Sequence, residues 1–156
     1  MHVNTKISEG LGVLASIDPA SIAASTVTSS WVSAANFLSY LLVVQTGVMG
    51  ASATIDAKIQ QATDSGGTGA KDVTGKAITQ LVKATGDNKQ ALLDFRAQDL
   101  DAANGFGWIR ISLTVATAAS IAGALLYGAN ARFEQVKDAT ANPAINLGSA
   151  SVISIT

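Results

Sequence analysis

Apolar and polar residues alternate in several separate runs along the middle of the chain. Ile109, Ile111, Leu113 and Val115 take turns with Arg110, Ser112, Thr114 and Ala116, the period of two that a half-buried strand requires. Ala53, Ile55, Ala57 and Ile59 alternate in the same way with Thr54, Asp56, Lys58 and Gln60. A third run sets Ala91, Leu93, Phe95 and Ala97 against Leu92, Asp94, Arg96 and Gln98. Residues 37–46 (FLSYLLVVQT) are more uniformly apolar and read as a strand buried on both faces. Weaker strand signals cover residues 76–84 (KAITQLVKA) and 120–127 (SIAGALLY). Turn residues punctuate the runs at 47–50, 64–67, 86–88, 104–105 and 128–130. The convincing helical piece is short: Asp99 caps a turn over 100–103, and Asn104-Gly105 ends it with residues that tolerate a left-handed backbone. Strands punctuated this way predict an all-β chain, an antiparallel β-sandwich or jelly roll.

The ends read differently from the middle. Residues 1–24 mix an alternating piece (Leu11, Val13, Ala15, Ile17) with Asp18-Pro19 and a tract of small residues. Residues 137–156 hold Asn142-Pro143, then Ile145, Leu147, Ile153 and Ile155 at strand-like spacing. The expected organisation is an N-terminal arm (1–24), one sandwich domain (25–136) and a C-terminal arm (137–156). Leu11, Val13, Ile17, Ile145, Leu147, Ile153 and Ile155 are the candidate interface residues. Either they lie on neighbouring subunits as added strands, or they form edge strands of the chain's own sheet.

Composition narrows the function classes. Of 156 residues only 13% are charged, against about 25% in ordinary globular domains. The formal net charge is −1, which leaves no basic stripe for nucleic-acid binding. A surface so poor in charge points to coverage by neighbouring subunits. Residues 19–55 and 111–131 carry no charge and are long enough to span a bilayer. Their alternation and small hydroxylated residues argue for buried strands instead, so no membrane partner is expected. The N-terminus has no basic region followed by an apolar block, and no secretory signal is expected.

Candidate chemistry is sparse. Cys is absent and His2 is the single histidine, which removes thiol catalysis, thiolate zinc sites and multi-histidine metal sites. The run Gly66-Gly67-Thr68-Gly69-Ala70-Lys71, followed by Gly75-Lys76, resembles a phosphate loop only superficially. Counted back from Gly75, Ala70 stands where the first glycine belongs, and Ala77 replaces the magnesium-binding hydroxyl. An inter-strand loop is the plainer reading. Asp99, Asp101 and Asn104-Gly105 match part of a calcium loop without its remaining ligands. Asp94 and Arg96 share a strand face, with Arg110 as a candidate cross-strand partner. Trp31 and Trp108 read as core or interface anchors. No enzymatic activity, cofactor or metal is expected.

A resemblance rests on Gln61-Ala62-Thr63-Asp64, the loop Gly67-Thr68-Gly69-Ala70-Lys71, Asp87-Asn88-Lys89, the run Ala97-Gln98-Asp99-Leu100-Asp101 leading to Asn104-Gly105-Phe106, and Ile109-Arg110-Ile111-Ser112-Leu113. Over about residues 31–127 this pattern resembles small head-associated, capsid-decoration-like structural proteins of tailed bacteriophages and prophages. The resemblance implies a virion component at the capsid exterior. Its partners would be the major capsid protein and further copies of itself, with a trimer as the expected oligomer. A neck, head-tail connector or tail ring component is the alternative within virions. A carbohydrate-binding β-sandwich at a fibre base is the alternative from another class.

Overall fold

The computed structural model describes residues 7–132. After one helical turn (Ile7–Gly10), the strands are β1 (Leu11–Ile22), β2 (Ser25–Thr28), β3 (Val32–Ser33), β4 (Phe37–Thr46), β5 (Thr54–Ala62), β6 (Lys71–Ala77), β7 (Leu81–Val82), β8 (Gln90–Arg96), β9 (Trp108–Ala116) and β10 (Ser120–Ala131). One sheet runs β1-β10-β4-β8 and the other β2-β9-β5-β6, with β3 added to β9 and β7 to β5. Every pairing is antiparallel. Among the eight longer strands the chain changes sheet at each connection except β5 to β6. That interleaved order is an eight-stranded jelly roll, as the alternation predicts.

The predicted inward residues fill the space between the sheets. Ile55, Ala57 and Ile59 of β5 and Ile109, Ile111, Leu113 and Val115 of β9 are buried. They face Tyr40, Leu42 and Val44 of β4 and Leu126 of β10, all buried too. Tyr40 and Phe95 are cross-strand neighbours whose rings stack at 4.8 Å between centroids. The Tyr40 hydroxyl donates to the carbonyls of Ala34 at 2.7 Å and Phe37 at 3.0 Å. Burial pushes its pKa up to about 12, because a phenolate there would lose its water. Gly128 is required where β10 passes over Phe37, since a Cβ there would lie 2.6 Å from the ring.

Several expectations need correction. Residues 37–46 form a strand buried on one face: Tyr40, Leu42, Val44 and Thr46 point inward, while Leu38 and Gln45 are exposed. The expected turn at 128–130 lies inside β10, whose twelve residues extend past the weak signal at 120–127. Residues 76–84 divide between the end of β6, the two-residue β7 and a helical turn, Lys83–Gly86. The helical piece near Asp99 is two short 3-10 turns, Ala97–Asp99 and Ala102–Asn104. Asp99 closes the first of them instead of capping a longer one. Gly105 does end the second in the left-handed region, at φ 83°. Ser112, expected to face outward beside Arg110, is only 4% exposed. It sits on the central strand between Thr28 and Lys58, neighbours longer than itself.

The N-terminal arm is also revised. Residues 11–22 are β1, paired along its length with β10 of the same chain, so this stretch is an edge strand of the domain. Ile145, Leu147, Ile153 and Ile155 lie outside the described residues, as does His2.

Candidate interaction surfaces

β1 carries three of the expected interface residues, and they do not share a face. Leu11 and Val13 pair with Ala129 and Tyr127 on the outer side of the sheet. A register shift between Val13 and Ala15 then puts both Leu14 and Ala15 inward. After it, Ile17 packs against the core. The bulge converts an apparently one-sided alternation into a two-sided strand. A second shift, between Ile17 and Ala20, falls at Asp18-Pro19.

The register across β1, β10, β4 and β8 brings distant residues into rows on the outer face. Val13, Tyr127, Leu41 and Asp94 form one row. Ser16, Leu125, Val43 and Leu92 form the next. Leu92 is 65% exposed, and Ile121 extends the apolar surface at nearly half exposure. Of the candidate interface residues, Leu11 and Val13 lie on this face, together with Leu41, Val43, Leu125 and Tyr127, which the sequence did not single out. In β4 and β10 both faces are apolar, so no local alternation marks the outer one.

The opposite sheet is covered with polar groups that satisfy one another. Lys58 and Gln60 both donate to the Asp72 carboxylate, at 2.7 and 2.9 Å. Arg110 Nε donates to Gln60 at 2.9 Å, and the Thr26 and Thr114 hydroxyls are 2.8 Å apart. Arg110 therefore belongs to this network on β9, in the other sheet from Asp94 and Arg96, and the expected ion pairing among those three is not formed. The Lys58 and Gln60 bonds hold the Asp72 carboxyl below its ordinary range.

The glycine-rich run is the β5–β6 loop. Asp64 Oδ1 accepts from the backbone N–H groups of Gly66 and Thr68 at 2.9 and 3.1 Å, which folds the loop on itself. Gly67, at φ 85°, passes beneath Trp31, where a Cβ would lie 2.5 Å from the indole nitrogen. Arg110 covers the face of the same indole, 4.4 Å from the ring centroid. Lys71 sits 4.0 Å over Phe106 and pairs with Asp101. Asn104 Nδ2 donates to both oxygens of Asp101. Asp99 accepts from the Arg96 N–H at 2.8 Å and pairs with Lys76 at 3.0 Å. These bonds lower the pKa of both carboxyls, first through Lys71 at Asp101 and through the Arg96 N–H at Asp99. The residues that resemble a calcium loop are thus committed to turn and ion-pair contacts. Among the described residues no three acidic or histidine side chains gather as a metal site would need.

An open cleft of about 530 Å³ lies beside β8, lined by Ser39, Lys76, Asp94, Arg96, Gln98 and Asp99 among others. Among the described residues no helix is long and apolar enough to cross a membrane.

No protein-family model and no curated protein matches the chain. Among solved structures, the fold is similar to a chain of the T13 viral particle of IBDV, with a TM-score of 0.53 and 12% identity over 79% of this chain. The chain spans 31% of that viral chain's length. It is also similar, at a TM-score of 0.40 and 11% identity, to the SPBc2 prophage-derived protein YomS, covering 80% of this chain and 99% of that one. A CBM4 structure matches at 0.39 and 15% identity, over 69% of this chain and 60% of its own. The first of these likenesses establishes a shared jelly-roll fold.

Proposed function

We propose that this protein is a virion structural protein, and specifically a capsid decoration protein that bridges major-capsid subunits from outside the shell. The observation that carries the reading is the contrast between the two outer faces. One is a polar surface on which Lys58, Gln60, Asp72, Arg110, Thr26 and Thr114 bond to one another. The other presents Val13, Tyr127, Leu41, Leu125, Val43 and Leu92 as contiguous rows. Such a face is suited to burial against a partner. Each aliphatic side chain covered contributes about 1.5–3 kcal/mol before ordering costs. Many modest contacts repeated over a shell would resist internal pressure without any bond chemistry. In this reading the segments around Ile145, Leu147, Ile153 and Ile155 act as clamps on neighbouring subunits.

The carbohydrate-binding reading is less well supported. Sugar stacking uses open aromatic faces, and Trp31 and Phe106 have Arg110 and Lys71 over theirs.

The test is the ratio of this protein to the major capsid protein in purified particles, by gel densitometry, with a Val43→Lys variant alongside. Decoration predicts hundreds of copies per particle, with Val43→Lys lost from capsids while the free domain melts as the wild type does. Copies amounting to a single ring would favour the neck or tail alternative. Absence from particles would overturn the virion reading.

A further inference from the structure

The strand edges of this domain are unequally protected. An exposed edge leaves backbone donors and acceptors unpaired, and proteins blunt such edges with bulges, proline, charge or shortness. β1 has two register shifts and Pro19. β6 has a register shift and carries Lys71, Asp72 and Lys76. β2 is four residues long, and β3 and β7 two each. β8 carries Asp94 and Arg96 near one end but differs in the rest: it is seven residues long, has no proline, and pairs with β4 in unbroken register from Gln45↔Gln90 to Ser39↔Arg96.

The direction of its free groups follows from two bonds. The Lys89 carbonyl accepts from the Thr46 N–H of β4 at 2.9 Å, so residue 89 faces the sheet. Backbone direction alternates along a strand, so 91, 93 and 95 also face β4, while 90, 92 and 94 face outward. The far end agrees, because the Arg96 N–H is taken by the Asp99 carboxylate instead of by β4. Among the described residues the open edge therefore offers three unpaired N–H and C=O sets, on Gln90, Leu92 and Asp94, beyond which the Arg96 N–H is capped.

We propose that β8 pairs antiparallel with β8 of a second copy, about a two-fold axis at Leu92. In that register Leu92 lies opposite Leu92 of the other copy and exchanges both backbone bonds with it. Gln90 falls opposite Asp94 on each side, an amide donor against a carboxylate acceptor. All three free sets are used and none is left over. The exposed Leu92 is covered, and the row Leu92, Val43, Leu125 continues across the axis into its counterpart. The occupant is another copy because the edge is complementary to itself in this one register. The proposal rests on the virion reading only in treating self-association as part of the role. A two-fold contact joins copies in pairs and does not itself close the expected trimer.

The chain has no cysteine, so single introduced cysteines report the contact cleanly. Hydrogen-bonded antiparallel partners have Cα atoms about 5.5 Å apart, inside the disulfide range. Full-length Leu92→Cys is expected to form disulfide-linked dimers several-fold faster than a Val48→Cys control, whose position is also exposed. A mixture of Gln90→Cys and Asp94→Cys chains should give mixed dimers in preference to either homodimer. Leu92→Pro removes an outward donor without touching the ladder to β4, and it should abolish wild-type dimers in sedimentation. Leu92→Lys, which leaves the backbone intact, should do the same. Cross-linking at Leu92→Cys no faster than at Val48→Cys would overturn the proposal. So would equal homodimer yields at 90 and 94, or a dimer that persists in both Leu92 variants. A cysteine at 92 that a small maleimide cannot reach in a monomeric protein would mean a different occupant, such as the chain's own C-terminal segment, and would also overturn it. Because these measurements use isolated protein, a monomer that still binds capsids would remove the edge pairing and leave the virion reading standing.

Discussion

The guanidinium carbon of Arg110 lies 4.4 Å from the centroid of the Trp31 ring, while Arg110 Nε donates to the Gln60 amide oxygen at 2.9 Å. One side chain thus ties the residues just before β3 to the outer face of the second sheet. The planar guanidinium suits both contacts at once, stacking by its face and donating by its edge. Arg110→Ala should cost about 1–2 kcal/mol, combining a half-exposed cation–π contact with one hydrogen bond. Arg110→Lys should recover less than half of the loss, since an ammonium cannot do both. Urea melts followed by tryptophan fluorescence would check this, and an unchanged midpoint for Arg110→Ala would contradict it.

Gly67 lies against the same indole near its nitrogen, and its backbone is left-handed. Gly75 is left-handed too, at φ 72°, but a Cβ there would meet nothing within 4 Å. The pair separates two costs. Gly75→Ala should lose about 1 kcal/mol from the backbone alone. Gly67→Ala should lose clearly more, because Trp31 must also move, and the fluorescence maximum should shift with it. Equal losses at both positions would show that Trp31 has room to give way.

Leu113 is fully buried on the central strand β9, opposite Ala57 on one side and Val27 on the other. Its neighbours come from both sheets and cannot collapse onto a void without disturbing the ladder. Leu113→Ala should cost about 2–5 kcal/mol. Thr114→Ala, one residue along on the outer face, should lose only about 1 kcal/mol with its Thr26 hydrogen bond. Wild-type melting of Leu113→Ala would contradict the assignment of faces.

The strands legible in the sequence are those whose two faces meet different surroundings. β5 and β9 have an aliphatic inner side and a hydroxylated or charged outer side, so their alternation is plain. β10 hides its period because Ala122, Gly123 and Ala124 are small whichever way they point, and Leu125 and Tyr127 are apolar on the outer face. β1 hides its bulge because Leu14 and Ala15 both turn inward, which no alternation anticipates. The apolar rows were illegible for a further reason: Val13, Tyr127, Leu41, Val43 and Leu92 become neighbours only through long-range register.

The pH dependence of stability follows from carboxyls that ionise more readily in the fold than outside it. Asp64, Asp72, Asp87, Asp99 and Asp101 all have pKa values below the ordinary 3.8. The leading causes are Thr68 at Asp64, Lys58 at Asp72, Lys83 at Asp87, the Arg96 N–H at Asp99 and Lys71 at Asp101. A lowered folded pKa means the unfolded chain takes up protons first as the pH falls. The stability these groups add is complete above the unfolded value near 4 and is lost as the pH drops through the folded values. At the alkaline end the sign reverses for Tyr40, whose raised pKa of about 12 means that the unfolded phenol ionises first. Its contribution is present below about pH 10, the unfolded value, and is lost between there and about 12. The urea midpoint should therefore be nearly flat between about pH 5 and 9 and fall on both sides. Asp72→Asn should shallow the acid limb, and Tyr40→Phe the alkaline limb, at the cost of two buried carbonyls losing their donor. An acid limb of equal slope in Asp72→Asn would mean that the Lys58 and Gln60 bonds persist in the unfolded chain or carry no stability in the fold.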